Sequence, residues 1–255
     1  MMTRTLVRMT SFDVDQFYVE HWRRRPVLLI GCADSFVDPA VGWPEVQRLR
    51  ENVDPHADQS VRERADGRVL FVNQVQMHST RLKEATDRLA ELMGWDHCSA
   101  DLSVTRGAGT GIGAHFDHSD NFVVQQQGVK SWLVGHPEDT PERHRRARML
   151  EVAGFVPHAQ FPHQPLSALL KPGDVLYLPI FAPHEGVQAS GDDGSISVSF
   201  SYNAESALSR YGRSILSVAS EHPSWWKPLP LTGTDAEELM ATLRDAVRHS
   251  IHDSH

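Results

Sequence analysis

Cysteine is almost missing from this chain: Cys32 and Cys98 are the only two, and their spacing matches no metal-binding pattern. Two isolated thiols exclude a disulfide scaffold and a thiolate metal cluster, fit a reducing compartment, and read as small buried hydrophobes. Long apolar runs are missing too. Nothing approaches the roughly 18 residues a membrane helix needs, and the opening MMTRTLVRMTSFD lacks a signal-peptide core, so the expected location is the cytoplasm with no membrane partner. A basic stripe is absent, because the net charge is −8 and Lys and Arg are scattered; this argues against nucleic acid as a partner. No repeat, nucleophile triad or paired-carboxylate motif is visible. What remains is 255 residues with 40% hydrophobic content, enough for one large globular domain or one domain with a small appendage.

The informative stretch is GAGTGIGAHFDHSDNFVVQQQGVKSWLV, residues 107–134. Its glycine-rich start has neither a P-loop lysine nor the later acidic residue of a dinucleotide site, so it is not a phosphate cradle. The glycines instead let the backbone pass close to a ligand and deliver His115. On a strand end, His115 and Asp117 fall on one face while Phe116 points away. A histidine nitrogen beside a carboxylate makes two-thirds of a 2-His-1-carboxylate iron site. The third ligand is expected from His184 in YLPIFAPHEGVQ, where a proline-punctuated turn follows an apolar strand.

His-x-Asp/Glu is a common pattern, and with 15 His and 33 acidic residues about two such pairs arise by chance. His56 with Asp58 lies in a polar, proline-containing stretch, and His136 with Glu138 sits beside a proline in a turn. His118 with Asp120 has the opposite parity to His115 with Asp117. On a continuous strand only one of those two pairs can face a cavity, and the residues alone leave both open.

The run Gly111, Gly113, His115, Asp117, Asp120, Phe122, Gln125, Gly128, Lys130, Trp132 resembles the JmjC/cupin-type 2-oxoglutarate oxygenases, in particular their bacterial ribosomal-oxygenase-like branch. KPGDVLYLPIFAPHEG, residues 171–186, is similar to that family's second cupin motif, and FYVEHWRRRPVLLIG precedes both blocks in the same order. The resemblance implies a mainly β protein with flanking helices around a double-stranded β-helix (jelly-roll, cupin) core. It implies Fe(II) held by His115, Asp117 and His184, with 2-oxoglutarate as cosubstrate and O2 as oxidant. It makes Lys130 the partner of the distal carboxylate of 2-oxoglutarate, where spacing alone favours a snorkelling surface lysine. It points to Ser199 or Asn203 for a further polar contact to the cosubstrate.

Along the chain, residues 12–22 are expected to form an amphipathic helix capped by Ser11 or Asp13, and residues 26–30 a short strand. Residues 43–50 and 80–93 read as helices; 61–64, 68–76, 101–105, 121–127, 130–134 and 175–179 read as strands. Between Pro137 and Leu170 the chain is basic and irregular, with a helix around ERHRRARMLE and exposed histidines at 158 and 163; this segment could form a lid. Ile196, Val198, Phe200 and Tyr202 alternate with serines, which reads as a half-buried strand. Helices are expected at 207–219 and, capped by Thr234, at 235–249. The division expected is residues 1–204 as the oxygenase-type domain with its N-terminal helix and strand, and 205–255 as a helical segment for packing or homodimer contact.

The chemistry implied is hydroxylation of an amino-acid side chain in a peptide or protein. The short remainder after Asn203 departs from the ribosomal oxygenases, which continue into a winged-helix region, and turns the expectation towards a smaller target such as a natural-product precursor peptide. Alternatives are hydroxylation of a small metabolite, lysine demethylation, disfavoured because no reader domain accompanies the barrel, and a cupin that binds metal and ligand without turnover.

Overall fold

The computed structural model describes residues 6–38, 40–52, 61–63, 68–107, 109–110, 112–188, 194–206, 211–212 and 233–252. The chain divides into two compact units, Met1–Arg148 with Ala153–Ala204, and Met149–Val152 with Glu205–His255.

In the first unit, strands β1 (Val7–Met9) and β2 (Val27–Leu29) flank helix α1 (Val14–Glu20), and helix α2 (Trp43–Asn52) follows. Then come β3 (Val61–Glu63), β4 (Val69–Val72), helix α3 (Thr80–Met93), β5 (Ser99–Thr105), β6 (Gly109–Thr110), β7 (Ser119–Gln127) and β8 (Lys130–Val134). Helix α4 (Glu142–Met149) precedes β9 (Leu166–Leu170), β10 (Val175–Leu178), β11 (His184–Gln188) and β12 (Ser195–Asn203). Eight strands form one sheet in the order β1-β2-β10-β7-β12-β5-β4-β3, and four form another in the order β6-β11-β8-β9. Through the middle of both sheets the paired strands are far apart in sequence, as β2-β10, β10-β7, β7-β12, β12-β5, β6-β11 and β11-β8, which is the winding of a double-stranded β-helix.

Strand parity explains how one chain serves two interiors. Phe122 and Val124 of β7 pack outwards into a large core with Phe17, Leu82, Leu89, Tyr177 and Phe200. Val123, between them, joins a smaller core with Trp132, Val134, Leu170 and Leu176. The outer core is dense in aromatics: Phe17 sits 4.7 Å from Tyr177 and 5.2 Å from Phe122, ring centre to ring centre. Local signals set the helices that cover it. Asp13 caps α1 by accepting from the Gln16 N–H at 2.8 Å, and α3 runs from an N-cap at Ser79 to Gly94, whose φ of 67° ends the helix. Gly128 turns β7 into β8 with φ +68°, and a Cβ there would meet the Gly194 carbonyl oxygen at 2.1 Å.

Several expectations need correction. The strand expected over residues 68–76 stops at Val72, because Gln74 enters the left-handed region at φ 51° and starts a single helical turn, Val75–Met77. The segment from Pro137 to Leu170 is not irregular throughout, since its last five residues, Leu166–Leu170, are β9 and pair along all of β8. Strand β12 is covered on both faces: its serines 195, 197 and 201 are as buried as Ile196, Val198 and Phe200. Serine suits that inner face because it can bond across strands, as Ser201 does with Ser99 at 2.8 Å.

In the second unit, helix α5 (Gly233–His252) begins one residue before Thr234, which therefore lies inside it. Most of the helix expected at 207–219, and the pair His56 and Asp58, lie outside the described residues.

Candidate metal and 2-oxoglutarate site

His115 is not on a strand in the usual sense. It forms an isolated bridge, with His158 on one side and His184 on the other, while β7 begins only at Ser119. The backbones of His115 and His184 exchange both hydrogen bonds, His115 N–H to His184 O at 3.0 Å and His184 N–H to His115 O at 2.8 Å. Directly opposed residues of an antiparallel pair put their side chains close, and the two imidazole centroids are 4.2 Å apart. Asp117 follows in the short link to β7. Its Oδ2 lies 3.6 Å from His184 Nε2 and 4.0 Å from His115 Nε2. One ligand atom from each of the three falls within 4.8 Å of the others, and no other such group of three exists among the described residues.

Each imidazole has its tautomer set by the carbonyl two residues upstream. His115 Nδ1 is 2.8 Å from Gly113 O and His184 Nδ1 is 2.9 Å from Ala182 O. A carbonyl can only accept, so both Nδ1 atoms carry the proton, and in the neutral ring this leaves Nε2 as the lone pair turned towards Asp117. Burial, and then the neighbouring His115, lower the pKa of His184 to about 4, which keeps it neutral near pH 7. Two neutral imidazoles and a carboxylate suit a divalent first-row ion that keeps open positions.

The rival pair is resolved by what Asp120 touches. Its carboxylate is fully buried and accepts from Tyr177 Oη at 2.7 Å, Arg23 Nε at 2.9 Å and the Ile180 N–H at 3.2 Å. It holds structure together and does not face the cavity.

His115, Asp117 and His184 line a cavity between the two sheets of about 700 Å³, including its open mouth. Lys130, the first residue of β8, lines the same cavity and is 3% exposed. Its ammonium lies 5.2 Å from the centre of the Trp132 ring, and no carboxylate among the described residues comes within ion-pair distance of it. Burial alone lowers its pKa to about 8. A cation so placed is costly to the fold and fits an anionic ligand as its counter-charge.

Ser199 faces the cavity, with Ser197 beside it. Asn203 does not: it is exposed at the end of β12, paired with Ser119, where the strand leaves the sheet. The reading from residues overlooked Asn121, whose Nδ2 donates to Asp117 Oδ2 at 3.2 Å and orients the carboxylate. Its signal was parity, since Asn121 shares a face of β7 with cavity-lining Val123. Asp101 was overlooked as well. It lines the cavity with a carboxyl raised to about 6, chiefly by burial, with the Gln74 N–H opposing and Asp117 adding to the rise.

The pattern of the JmjC domain matches residues 72–209, more than half of the chain. The chain belongs to the JmjC domain family. Among curated proteins this JmjC chain is similar to the ribosomal protein uL16 3-hydroxylase of Escherichia coli (strain K12), 26% identical over 191 residues that cover 67% of this chain and 48% of that protein. It is also similar to the bifunctional lysine-specific demethylase and histidyl-hydroxylase NO66 of Aedes aegypti, 23% identical over 202 residues, 70% of this chain and 31% of that protein. The JmjC chain thus spans half or less of the length of these relatives. Its fold is similar to a solved structure of YcfD, a ribosomal oxygenase from Escherichia coli in complex with cobalt and 2-oxoglutarate, with a TM-score of 0.62 and 19% identity over 94% of this chain and 68% of that one.

Gly186 of β11 gives the Lys130 pocket its room. A Cβ there would stand 2.8 Å from Lys130 Cε and 3.2 Å from the Trp132 ring. The aliphatic stem can shift; the packed indole cannot readily do so. Gly186→Ala is expected to weaken 2-oxoglutarate binding, measured by calorimetry, by about 10-fold, with a stability loss of about 1–3 kcal/mol in urea unfolding.

Proposed function

We propose that this protein is an Fe(II)- and 2-oxoglutarate-dependent dioxygenase that hydroxylates an amino-acid side chain of a peptide or protein. The observation that carries the reading is the buried Lys130 ammonium, which has no carboxylate partner among the described residues and opens onto the same cavity as His115, Asp117 and His184. A non-catalytic metal-binding cupin would need the three ligands but has no use for the lysine.

Each residue then has a task. His115, Asp117 and His184 would hold the iron, which supplies the site for activating O2 once 2-oxoglutarate is bound. Gly113 and Ala182 fix the two imidazoles through their Nδ1–H groups, and Asn121 steadies the carboxylate. Lys130 would neutralise the distal carboxylate of 2-oxoglutarate as a point charge, with Ser199 as an added hydroxyl. Val69, Phe71 and Val123 give the cavity an apolar wall that excludes water from the reacting groups.

A polypeptide substrate is supported by the names of the relatives, which are hydroxylases and a demethylase of protein residues. A natural-product precursor peptide is the narrower form of the proposal. The test is succinate release from 2-oxoglutarate with Fe(II) in air, repeated with His184→Ala and Lys130→Ala. Turnover above background by the wild type and loss of at least about 100-fold in both variants is the expected result. Neither turnover nor saturable 2-oxoglutarate binding by the wild type would overturn the reading in favour of a binding module.

A further inference from the structure

We infer that Asp120, clamped by Arg23, is a positioning residue that sets the distance between the segment carrying Asp117 and the turn carrying His184. The inference rests on the metal-site reading above.

Asp120 stands three residues after Asp117, on β7. Its Oδ1 accepts from the Ile180 N–H at 3.2 Å, four residues before His184, and from Tyr177 Oη at 2.7 Å. Its Oδ2 accepts from Arg23 Nε at 2.9 Å. One carboxylate therefore joins the two ligand-bearing stretches, and a guanidinium from the end of α1 holds it in place.

The turn needs such a hold. Phe181, next to Ile180, has φ 65°, a region that costs a bulky residue on the order of 1 kcal/mol or more. Its N–H donates to Asp117 O at 2.9 Å, and its carbonyl accepts from Thr140 Oγ1 at 2.7 Å. Of the bonds tying this turn to residues 117–120, the one to Asp120 is made by a side chain. Arg23 is itself left-handed at φ 56°, and its backbone N–H donates to Tyr177 Oη at 2.9 Å. Two strained residues thus meet at one buried charge. An unaided backbone would relax at Phe181, and His184 would swing relative to Asp117.

A second buried carboxylate shows what a purely structural role looks like. Asp174 accepts from the Gly31 N–H at 3.1 Å and the Lys171 N–H at 3.0 Å, and it touches neither ligand-bearing stretch.

The test is Co(II) binding, read as a dissociation constant and as the visible d–d spectrum at a temperature where every variant is folded. Asp120→Asn is expected to weaken Co(II) by about 10- to 100-fold and to shift the spectrum, in the range of other groups that orient metal ligands. Arg23→Gln, at a side chain 41% exposed and so tolerant of replacement, is expected to weaken it by at least about 3-fold. Asp174→Asn should lower the melting temperature and leave both Co(II) readouts unchanged. If Asp120→Asn does not fold, Arg23→Gln decides. Wild-type affinity and spectrum in the Asp120 and Arg23 variants would reduce Asp120 to a structural residue and overturn the inference alone. Failure of the wild type to bind Co(II) would overturn it together with the metal-site reading.

Discussion

Asp117→Ala is expected to lower Co(II) or Fe(II) affinity by at least about 100-fold, with the fold intact by circular dichroism. Asp117 is the one anionic member of the three, and removing it leaves the cation facing two neutral imidazoles. Changes to residues that merely orient a ligand reach 10- to 100-fold, so loss of the charged ligand itself should exceed that range. His118→Ala is the matched control. The carbonyl of His118 accepts from the Ala204 N–H at 2.9 Å, and that backbone bond survives the substitution. Metal content measured after gel filtration should fall to background in the first variant and stay stoichiometric in the second. Equal loss in both would mean that His118 and not His115 supplies the nitrogen.

Lys130→Met is expected to separate binding from stability. Truncating one partner of a buried ion pair costs about 2–5 kcal/mol, so 2-oxoglutarate affinity should fall by about 1.5 to 3.5 orders of magnitude while Co(II) still binds. The ligand-free protein should behave in the opposite way. Lys130 titrates at about 8 in the fold against 10.5 for the free side chain, so the unfolded chain holds more protons between those values. Stability of the ligand-free wild type therefore rises with pH across that window, and below it the buried charge is a constant burden. The shift corresponds to about 3 kcal/mol, so Lys130→Met should be more stable than wild type by a gain of that order at pH 7. Its advantage should shrink towards pH 10. Urea unfolding at pH 7 and pH 10 measures both effects, and an Lys130→Met protein less stable than wild type at pH 7 would contradict the burial argument.

Much of the framework was legible from periodicity and end signals. Helix α3 has its apolar stripe between Ser79 and Gly94, and β8 has its alternation between Gly128 and Gly135. Motif and order of blocks point to the ligand trio, and the fold brings those three side chains together. Parity along one strand would align His115 with Asp117, yet it says nothing of the bridge to His184 that fixes the pair. Parity also cannot tell whether a strand's second face is open. The serines of β12 read as solvent-facing, yet Ser195, Ser197 and Ser201 are buried, and Ser197 and Ser199 line the cavity. Lys130 presented the same difficulty: its burial depends on which strands close over β8, a long-range fact that spacing does not contain. Asp120 reads as part of a competing ligand pair, because no local pattern announces Arg23 as its partner from 97 residues away.

The bridge between His115 and His184 has a consequence for how the metal arrives. Two donors spaced by reciprocal main-chain hydrogen bonds are preorganised: their separation is inherited from folding and leaves little conformational entropy to be lost on chelation. Loading the ion should then act as a plain thermodynamic ligand, raising the unfolding midpoint with the logarithm of free metal concentration while the surrounding main chain stays where it already is.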